Sequence, residues 1–345
     1  MKSPRFVGAL MLSVVVLDAG CAGHHPLLDR MRGKSEPDAS GTEGAARESS
    51  TPSPGGGTDR DELVTVDGRQ RSYYLHLPPG ASSTGAYPLV FNFHGGRGNG
   101  HQQAELSKMP AFADRYGFIT VAPDGIETNW NDGRGTTKPS QMGIDDVKFV
   151  RTIYDKVRGA YGIDPKRVFA TGISNGAMFS YRLACDMSDV FAAIGPVVGS
   201  LASKYRPSCR PSELVSVISI MGDADEFVPI QGGIEGWKNG KGDGGELESE
   251  ANMKDFWSKI DGCSGTPSTS TLPNRADDGT SVTKTVISGC KNGTELEYYV
   301  VKGGGHVWPP NEFKSFILNH MAGKSSQNLD ATQVIWDFFS RHPKP

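Results

Sequence analysis

The sequence predicts a single folded domain of the α/β class, with a mainly parallel β-sheet and helices on both of its faces. Short apolar segments alternate along the chain with segments whose apolar residues recur at helical spacing. Glycine, proline and aspartate follow several of the apolar segments, as they do where strands end in turns. No internal repeat is evident at periods of about 20–50 residues, which argues against solenoids and propellers.

The predicted strands are apolar runs that end at turn residues. Leu89–His94 contains Leu-Val-Phe-Asn-Phe and stops at Gly95-Gly96, as expected of a mostly buried strand. The full set is Arg71–Leu77, Leu89–His94, Phe118–Ala122, Arg167–Thr171, Phe191–Val198, Leu214–Met221, Ser281–Ile287 and Leu296–Val301.

The predicted helices carry start and stop signals. One helix begins at Asp145-Asp146, whose acids suit the helix dipole, and ends at Gly162. The last helix begins at Asp330 with Gln333 three residues on, a capping-box arrangement. The other predicted helices are Gln102–Tyr116, Asn175–Cys185 and a helix near Ser249–Ile260.

Composition and charge narrow the class of protein. Of the 345 residues, 37% are hydrophobic and 22% charged, which is typical of a globular protein with one substantial core. The net charge is -3, and neither sign forms a long run. The sequence therefore predicts neither a nucleic-acid groove nor a polybasic membrane patch, and favours a neutral or modestly charged partner.

The first 21 residues resemble a targeting segment. Two basic residues precede the apolar stretch Phe6–Leu17, which is too short to span a bilayer stably. Cys21 suggests a bacterial lipoprotein signal in which this cysteine is lipidated, whereas Asp18 occupies a position that is normally aliphatic in such signals. Lipidation with a membrane anchor and ordinary signal-peptide cleavage both remain open, and both predict a secreted or cell-envelope protein.

Residues 22–58 are predicted to form a disordered tether. They are rich in Gly, Ser, Pro, Glu and Arg and show almost no apolar periodicity, so they cannot bury enough apolar surface to offset their conformational entropy. The folded domain is therefore assigned to residues 59–345.

The cysteine count agrees with export. Apart from Cys21, four cysteines remain, an even number that suits an oxidising compartment. Three connectivities are open, and the two local pairs, Cys185 with Cys209 and Cys263 with Cys290, are the expected disulfides. A zinc site is disfavoured because no pair has the close spacing of metal ribbons.

A G-x-S-x-G motif is the strongest chemical signal in the sequence. Gly172-Ile173-Ser174-Asn175-Gly176 directly follows a predicted strand and directly precedes a predicted helix. This is the setting of the nucleophile elbow in the α/β-hydrolase fold, where the two glycines leave room for a sharp turn that exposes the serine hydroxyl. Ser174 is the predicted nucleophile; the alternative is a glycine-rich loop with an incidental serine.

The base and the acid are expected after later strands, in the order serine, acid, histidine. Asp225 is the predicted acid, with Asp223 second, because both follow the apolar segment that ends at Met221. His306 is the predicted base, since it alone among the histidines lies in a glycine-rich loop after a predicted strand.

The oxyanion hole is predicted from two loops. One donor is the backbone N–H of Asn175, and the second is that of Gly96, with Gly95 as the neighbour that shares the role. His94 is expected to orient this loop through hydrogen bonds. The loop Glu127–Met142, with Trp130, Asn131 and Arg134, and the glycine-rich run Gly232–Gly245, with Trp237, are candidates for the walls of an acyl or aryl pocket. Trp308, which follows the predicted base, is a further candidate, and packing is the alternative role for each tryptophan.

The chain resembles the polyhydroxybutyrate depolymerase and feruloyl esterase family of secreted esterases. The resemblance lies in Ile144-Asp145-Asp146-Val147, in Gly172 to Met178, in Arg182-Leu183-Ala184-Cys185, in Phe191-Ala192-Ala193-Ile194, in Gly222 to Pro229 and in Gly304 to Pro309. It implies an α/β-hydrolase fold and ester hydrolysis without metal or cofactor, with the triad aspartate at Asp225.

The function predicted from the sequence is that of an exported serine esterase. Its acyl group is left open among feruloyl, acetyl and hydroxyalkanoyl. The alternatives are a peptidase of the same fold and a non-catalytic surface-binding protein, which is disfavoured because all the triad residue types occur in the right order. The sequence does not indicate the oligomeric state.

Overall fold

The computed structural model describes residues 50–52, 56–236, 242–311 and 321–345. The strands are β1 Ser50–Pro52, β2 Thr58–Val66, β3 Arg69–Leu77, β4 Tyr87–Phe93, β5 Ile119–Pro123, β6 Ile163–Ile173, β7 Ala193–Val197, β8 Ser216–Gly222, β9 Gly233–Ile234, β10 Glu246–Leu247, β11 Ser268–Thr271, β12 Ser281–Ile287 and β13 Leu296–Lys302. The helices are α1 Gly100–Ser107, α2 Met109–Tyr116, α3 Lys138–Gln141, α4 Asp146–Ala160, α5 Asn175–Asp186, α6 Glu250–Ile260 and α7 Ala331–Arg341, with short 3-10 helices at Ile126–Thr128, Arg206–Ser208 and Lys291–Gly293.

One sheet of eleven strands organises the described part of the chain, in the order β1-β2-β3-β5-β4-β6-β7-β8-β13-β12-β11. The inner run from β5 to β13 is parallel throughout. Antiparallel strands extend the sheet at both sides, and β9 and β10 form a separate hairpin. This confirms the predicted mainly parallel sheet.

Helices cover both faces of the sheet, as predicted. Apolar residues of α4, α5 and α6 belong to one buried cluster, which includes Phe149, Phe179 and Trp257. Apolar residues of α2 and α7 belong to a second cluster, which includes Met109 and Ile335. The inner strands are buried on both sides, which is why they appear in the sequence as continuous apolar runs.

Each of the predicted strands is present, with boundaries shifted by a few residues. β1, β2, β9, β10 and β11 are not among the predicted strands. Ser50–Pro52 lies inside the segment predicted as a tether, yet it pairs with the start of β2. β2 contains four consecutive charged residues from Asp59 to Glu62 and only alternate burial, so it lacks the apolar run used to recognise strands. Residues 1–49 and 53–55, including Cys21, lie outside the described residues.

The predicted helix Gln102–Tyr116 is two helices. Lys108 adopts a left-handed conformation (φ 55°) between α1 and α2, and Pro110 stands in the first turn of α2. Proline has no N–H to donate and its ring clashes with the preceding turn of a continuous helix. At the start of α7, Asp330 accepts the Gln333 N–H as predicted, but the Gln333 side chain donates to Asp337 instead of completing the capping box.

The two local disulfides predicted from the sequence are present. Cys185, near the end of α5, is bonded to Cys209, and Cys263, just after α6, is bonded to Cys290. The first closes a segment that contains β7 and the second a segment that contains β11 and β12, and each restricts the unfolded chain. Within the described ranges, no helix has both the length and the apolar character needed to cross a membrane.

A buried carboxylic acid makes the stability of the fold depend on pH. Glu250, in the first turn of α6, accepts a hydrogen bond from Ser219 Oγ at 3.4 Å and lies 3.6 Å from Lys254 Nζ. Burial raises the pKa of Glu250 from 4.5 to about 7. The folded chain therefore holds this proton more tightly than the unfolded chain, and stability is lost as the pH rises from about 4.5 to about 7.

We expect Glu250→Gln to be more stable than the native protein at pH 8 and to lose this advantage at pH 4.5. The shift in pKa corresponds to up to about 3 kcal/mol in the free energy of unfolding, because one pKa unit is worth about 1.4 kcal/mol. Urea unfolding of both proteins at the two pH values measures it. If the two proteins differed in free energy of unfolding by the same amount at both pH values, the role of the Glu250 proton would be contradicted.

Candidate active site

The sheet brings the predicted catalytic residues to one edge. Ser174 stands between the end of β6 and the start of α5, Asp225 follows the end of β8, and His306 follows the end of β13. β6, β7, β8 and β13 are parallel neighbours, so their carboxyl ends lie at the same edge of the sheet. This edge is where open α/β sheets build their sites.

The turn at Ser174 has the geometry of a nucleophile elbow. Ser174 has φ 56° and ψ -122°, a conformation that non-glycine residues rarely adopt. A β-carbon on Gly172 would lie 2.6 Å from the carbonyl oxygen of Phe93, and one on Gly176 would lie 2.3 Å from the same oxygen. Both glycines are therefore required by the close approach of β4 to the turn.

His306 is hydrogen-bonded to Asp225 and not to Asp223. The distance from His306 Nδ1 to Asp225 Oδ2 is 2.7 Å, and the Asp225 side chain is buried. Asp225 Oδ1 accepts the backbone N–H groups of Phe227 and Val228 at 2.8 and 2.9 Å, which fixes the plane of the carboxylate. Asp223 instead accepts the N–H of Gly303 at 2.6 Å.

Ser174 and His306 line the same cavity, which has a volume of about 780 Å³. Gly95, Gly96 and Asn175 also line it, so the predicted nucleophile, base and oxyanion loops face one space. Among the described residues, the Ser174 hydroxyl donates no hydrogen bond, whereas its backbone N–H is bonded to Val197 O at 3.0 Å. The backbone of the turn is thus fixed while the hydroxyl remains available.

The loop after β4 is held by His94. Its Nδ1 is 2.7 Å from Gly95 O and its Nε2 accepts the Gly125 N–H at 2.9 Å, so the ring is neutral with the proton on Nδ1. Burial lowers the pKa of His94, which favours this neutral form. His94 therefore orients the loop. Within the described ranges, the backbone N–H of Gly96 donates to no hydrogen-bond acceptor.

Of the three tryptophans predicted as pocket walls, the two that the structure describes do not line the cavity. Trp130 is fully buried and stacks on Phe179 with ring centroids 5.2 Å apart. Trp308 is also fully buried, and its indole N–H donates to Thr332 Oγ1 at 2.9 Å. Both are packing residues in the structure because the core, not the cavity, covers their rings. Trp237 lies outside the described residues.

The described wall of the cavity combines the two loops predicted to form it with α1, a helix that sequence reasoning did not assign to it. Arg134 lines the cavity from the loop Glu127–Met142, and Glu235, Gly242 and Asp243 line it from the run Gly232–Gly245. Residues of α1, the helix after the Gly95 loop, face the cavity, and Phe227 adds an aromatic ring 5.1 Å from the ring of His306. The sequence could have indicated that α1 lies at the cavity, because this helix directly follows the loop that contains Gly95 and Gly96. The further lining residues are His94, Arg97, Gly98, Gln102, Gln103, Glu105, Leu106, Lys108, Ile173, Asn311, Met321 and Ala322. In the part of the chain that is described, no three His, Cys, Asp or Glu side chains are grouped to hold a metal ion.

Comparisons with known proteins agree with this architecture. The family described as Esterase PHB depolymerase matches residues 71–213, a range that includes the elbow. A protein of Nocardia uniformis subsp. tsuyamanensis named "Putative esterase NocK" is 30% identical over 338 residues, which cover 95% of this chain and 96% of the relative. Feruloyl esterase B of Piromyces equi is 28% identical over 243 residues, which cover 69% of this chain and 42% of the relative.

A solved structure supports the fold. The acetyl xylan esterase from Aspergillus awamori superposes with a TM-score of 0.53 over 72% of this chain and 94% of that chain, at 16% identity. This likeness concerns the fold, whereas the relative from Nocardia matches along nearly the whole of both sequences. The chain belongs to the PHB depolymerase and feruloyl esterase family of α/β-hydrolases, and it is a serine-type carboxylic ester hydrolase.

Proposed function

We propose that the enzyme hydrolyses its ester through an acyl-enzyme on Ser174, with His306 as general base and Asp225 as the acid that orients it. The observation that carries this proposal is the 2.7 Å contact between His306 Nδ1 and Asp225 Oδ2, beside an elbow that presents Ser174 to the same cavity. A serine hydroxyl is a weak nucleophile and needs such a base.

In the acylation step, Ser174 Oγ attacks the ester carbonyl while His306 Nε2 takes the hydroxyl proton. The tetrahedral intermediate collapses, the alcohol leaves with the proton from His306, and the acyl group stays on Ser174. Water then attacks the acyl-enzyme in the same way, with His306 again as base, and releases the acid. Asp225 stabilises the imidazolium in both steps and keeps the Nδ1 proton in place.

The oxyanion donors in this proposal are the N–H groups of Asn175 and Gly96, with Gly95 as the neighbour of the second donor. Asn175 begins α5, so its N–H lies at the positive end of the helix dipole. The N–H of Gly96 has no acceptor within the described ranges, and both residues line the cavity. Preorganised donors of this kind usually supply the largest electrostatic contribution to acyl transfer.

The substrates proposed are feruloyl or acetyl esters of polysaccharides, or hydroxyalkanoate esters. The names of Feruloyl esterase B and of the acetyl xylan esterase support the first two acyl groups, and the family description supports the third. The site of action proposed is outside the cytoplasm, which the two disulfides and the targeting segment favour. Lipidation at Cys21 remains a proposal about a residue outside the described ranges.

Hydrolysis across matched substrates tests this function. The full chain is offered methyl ferulate, acetylated xylan, a hydroxybutyrate oligomer and p-nitrophenyl butyrate, together with the p-nitroanilide of butyrate. We expect the enzyme to hydrolyse esters. Where deacylation is slow, p-nitrophenyl butyrate should give a burst of one equivalent of p-nitrophenol per active site. Release of p-nitroaniline from the anilide should be far slower. Absence of hydrolysis on every ester would contradict the proposal, and faster cleavage of the anilide would indicate a peptidase.

A further inference from the structure

The segment from Trp130 to Arg134 contacts both loops that carry the proposed oxyanion donors. The Trp130 indole N–H donates to the carbonyl oxygen of His94 at 2.9 Å, next to Gly95 and Gly96. The backbone N–H of the same tryptophan donates to Asn175 Oδ1 at 2.7 Å. One residue thus connects the loop after β4 with the first residue of α5.

The side-chain amide of Asn175 is held on both sides. Its Oδ1 accepts from Trp130, and its Nδ2 donates to Asp132 Oδ2 at 2.6 Å. An amide that is bonded through both its oxygen and its nitrogen cannot rotate without losing a buried hydrogen bond. The position of the Asn175 backbone, and hence the direction of its N–H, is fixed by this side chain as well as by the helix.

Asp132 is fixed in turn by Arg134. The guanidinium Nε and Nη2 each lie 2.8 Å from Asp132 Oδ2, and the backbone N–H of Arg134 donates to Oδ1 at 3.0 Å. Arg134 Nη1 also donates to Glu235 Oε2 at 2.8 Å and to Gly244 O at 2.9 Å, two residues that lie between β9 and β10. Burial opposes the charge of Arg134, but Asp132 and Glu235 outweigh it and raise the pKa of the guanidinium.

Trp130 and Asp132 cannot act by touching the substrate. Both have no exposed surface, and neither lines the cavity. Their hydrogen bonds end at the two elements from which the oxyanion donors are presented. The contribution that remains open to them is to hold these donors at a fixed separation.

We propose that Trp130 and Asp132 are positioning residues that hold the two halves of the oxyanion hole in register, Trp130 by bridging His94 and Asn175 and Asp132 by clamping the Asn175 amide to Arg134. This inference rests on the proposed function, because it concerns the donors of that mechanism. Such donors act only when they lie about 2.7–3.1 Å from the oxyanion. The negative charge on this oxygen develops in the transition state. Loosening them lowers kcat and leaves KM nearly unchanged.

Asp132→Ala tests the clamp, with Glu297→Ala as its matched control. Glu297 is a buried carboxylate on β13 that contacts three side-chain donors, namely Lys284 Nζ at 2.9 Å, Arg341 Nη2 at 2.9 Å and the Tyr299 hydroxyl at 3.1 Å. It does not line the cavity. We expect Asp132→Ala to lower kcat on p-nitrophenyl butyrate by about 10-fold to 100-fold, less than the roughly 100-fold to 1000-fold that removing a donor costs. KM is expected to change by less than about threefold.

Affinity for phenylboronic acid separates positioning from a general loss of structure. Its tetrahedral adduct with a serine places an oxygen in the oxyanion hole, so its Kd should rise by the factor by which kcat falls. Glu297→Ala should leave kcat and this Kd within about threefold of the native values, even where its unfolding temperature falls as far as that of Asp132→Ala. Equal losses of kcat in both variants, or an unchanged boronate Kd in a folded Asp132→Ala, would overturn the proposal.

Trp130→Phe keeps the proposal testable where Asp132→Ala does not fold. It removes the indole donor to His94 O and retains an aromatic ring against Phe179. Its control is Trp257→Phe, at an equally buried tryptophan on α6 whose indole nitrogen has no hydrogen-bond partner among the described residues. We expect kcat to fall by about 10-fold in Trp130→Phe alone, with a parallel rise in the boronate Kd.

Failure of this inference is distinguishable from failure of the proposed function. A native enzyme that hydrolyses esters and binds phenylboronic acid, combined with a folded Trp130→Phe of native kcat, refutes the positioning roles only. A native enzyme that hydrolyses no ester refutes the function from which the inference starts.

Discussion

Ser174→Ala is expected to lower kcat on p-nitrophenyl butyrate by about 10⁵-fold to 10⁶-fold, because it removes the atom on which the proposed acyl-enzyme forms. The fold should be unaffected. The hydroxyl of Ser174 donates no hydrogen bond to a described residue, and the backbone bonds from its N–H to Val197 O and from the Met178 N–H to its carbonyl do not involve the side chain. Initial rates at saturating ester measure the loss, and the unfolding temperature should match that of the native protein.

Covalent labelling provides the control for this variant. A fluorophosphonate probe should label the native enzyme and should not label Ser174→Ala, because the probe reacts with an activated serine. Labelling that persists in the variant would show that another nucleophile acts, and a native rate in the variant would refute the acyl-enzyme at this residue.

Asp225→Asn is expected to lower kcat by about 10³-fold to 10⁴-fold, by placing the imidazole proton on the wrong nitrogen. Asp225 Oδ1 accepts two backbone N–H groups, so the amide oxygen of the variant must occupy that position. Its NH₂ group then points at His306 Nδ1, which can only accept from it, and the ring proton moves to Nε2. His306 then has no free lone pair with which to take the Ser174 proton.

Asp223→Asn is the comparison for this prediction. Asp223 contacts the backbone of Gly303 and not His306, and asparagine retains an oxygen to accept that N–H. We expect kcat of Asp223→Asn to stay within about tenfold of the native value. The assignment of the acid would be contradicted by the opposite result, a large loss in Asp223→Asn and a small one in Asp225→Asn.

The inner half of the fold could be predicted from the sequence because each inner strand is covered on both faces. That burial makes the strand an apolar run, and the turn that follows supplies glycine, aspartate or proline. The elbow was recognisable for a steric reason, since β4 approaches so closely that Gly172 and Gly176 cannot carry a side chain. The local disulfides followed from cysteine number and spacing.

The parts that escaped prediction depend on tertiary contacts that no local pattern records. The loop that contains Trp130 could be assigned to the site, but the direction of its side chain could not, because burial of the ring depends on Phe93 and Phe179 from other elements. Likewise, four consecutive charged residues occupy the first half of β2, and its pairing with β3 defines it as a strand. Sequence patterns therefore indicated which loops form the site and not which of their side chains face the substrate.

The strand order also has a consequence for how the enzyme acquires activity when it refolds. Ser174 follows β6 and His306 follows β13, so a large part of the chain separates two groups that the proposed mechanism requires at one edge of the sheet. Long-range parallel pairing of this kind forms slowly, because closing the intervening chain costs entropy before any contact is gained. Recovery of ester hydrolysis after dilution from denaturant should therefore report the docking of β13 onto β8, and should lag behind the recovery of helical circular dichroism.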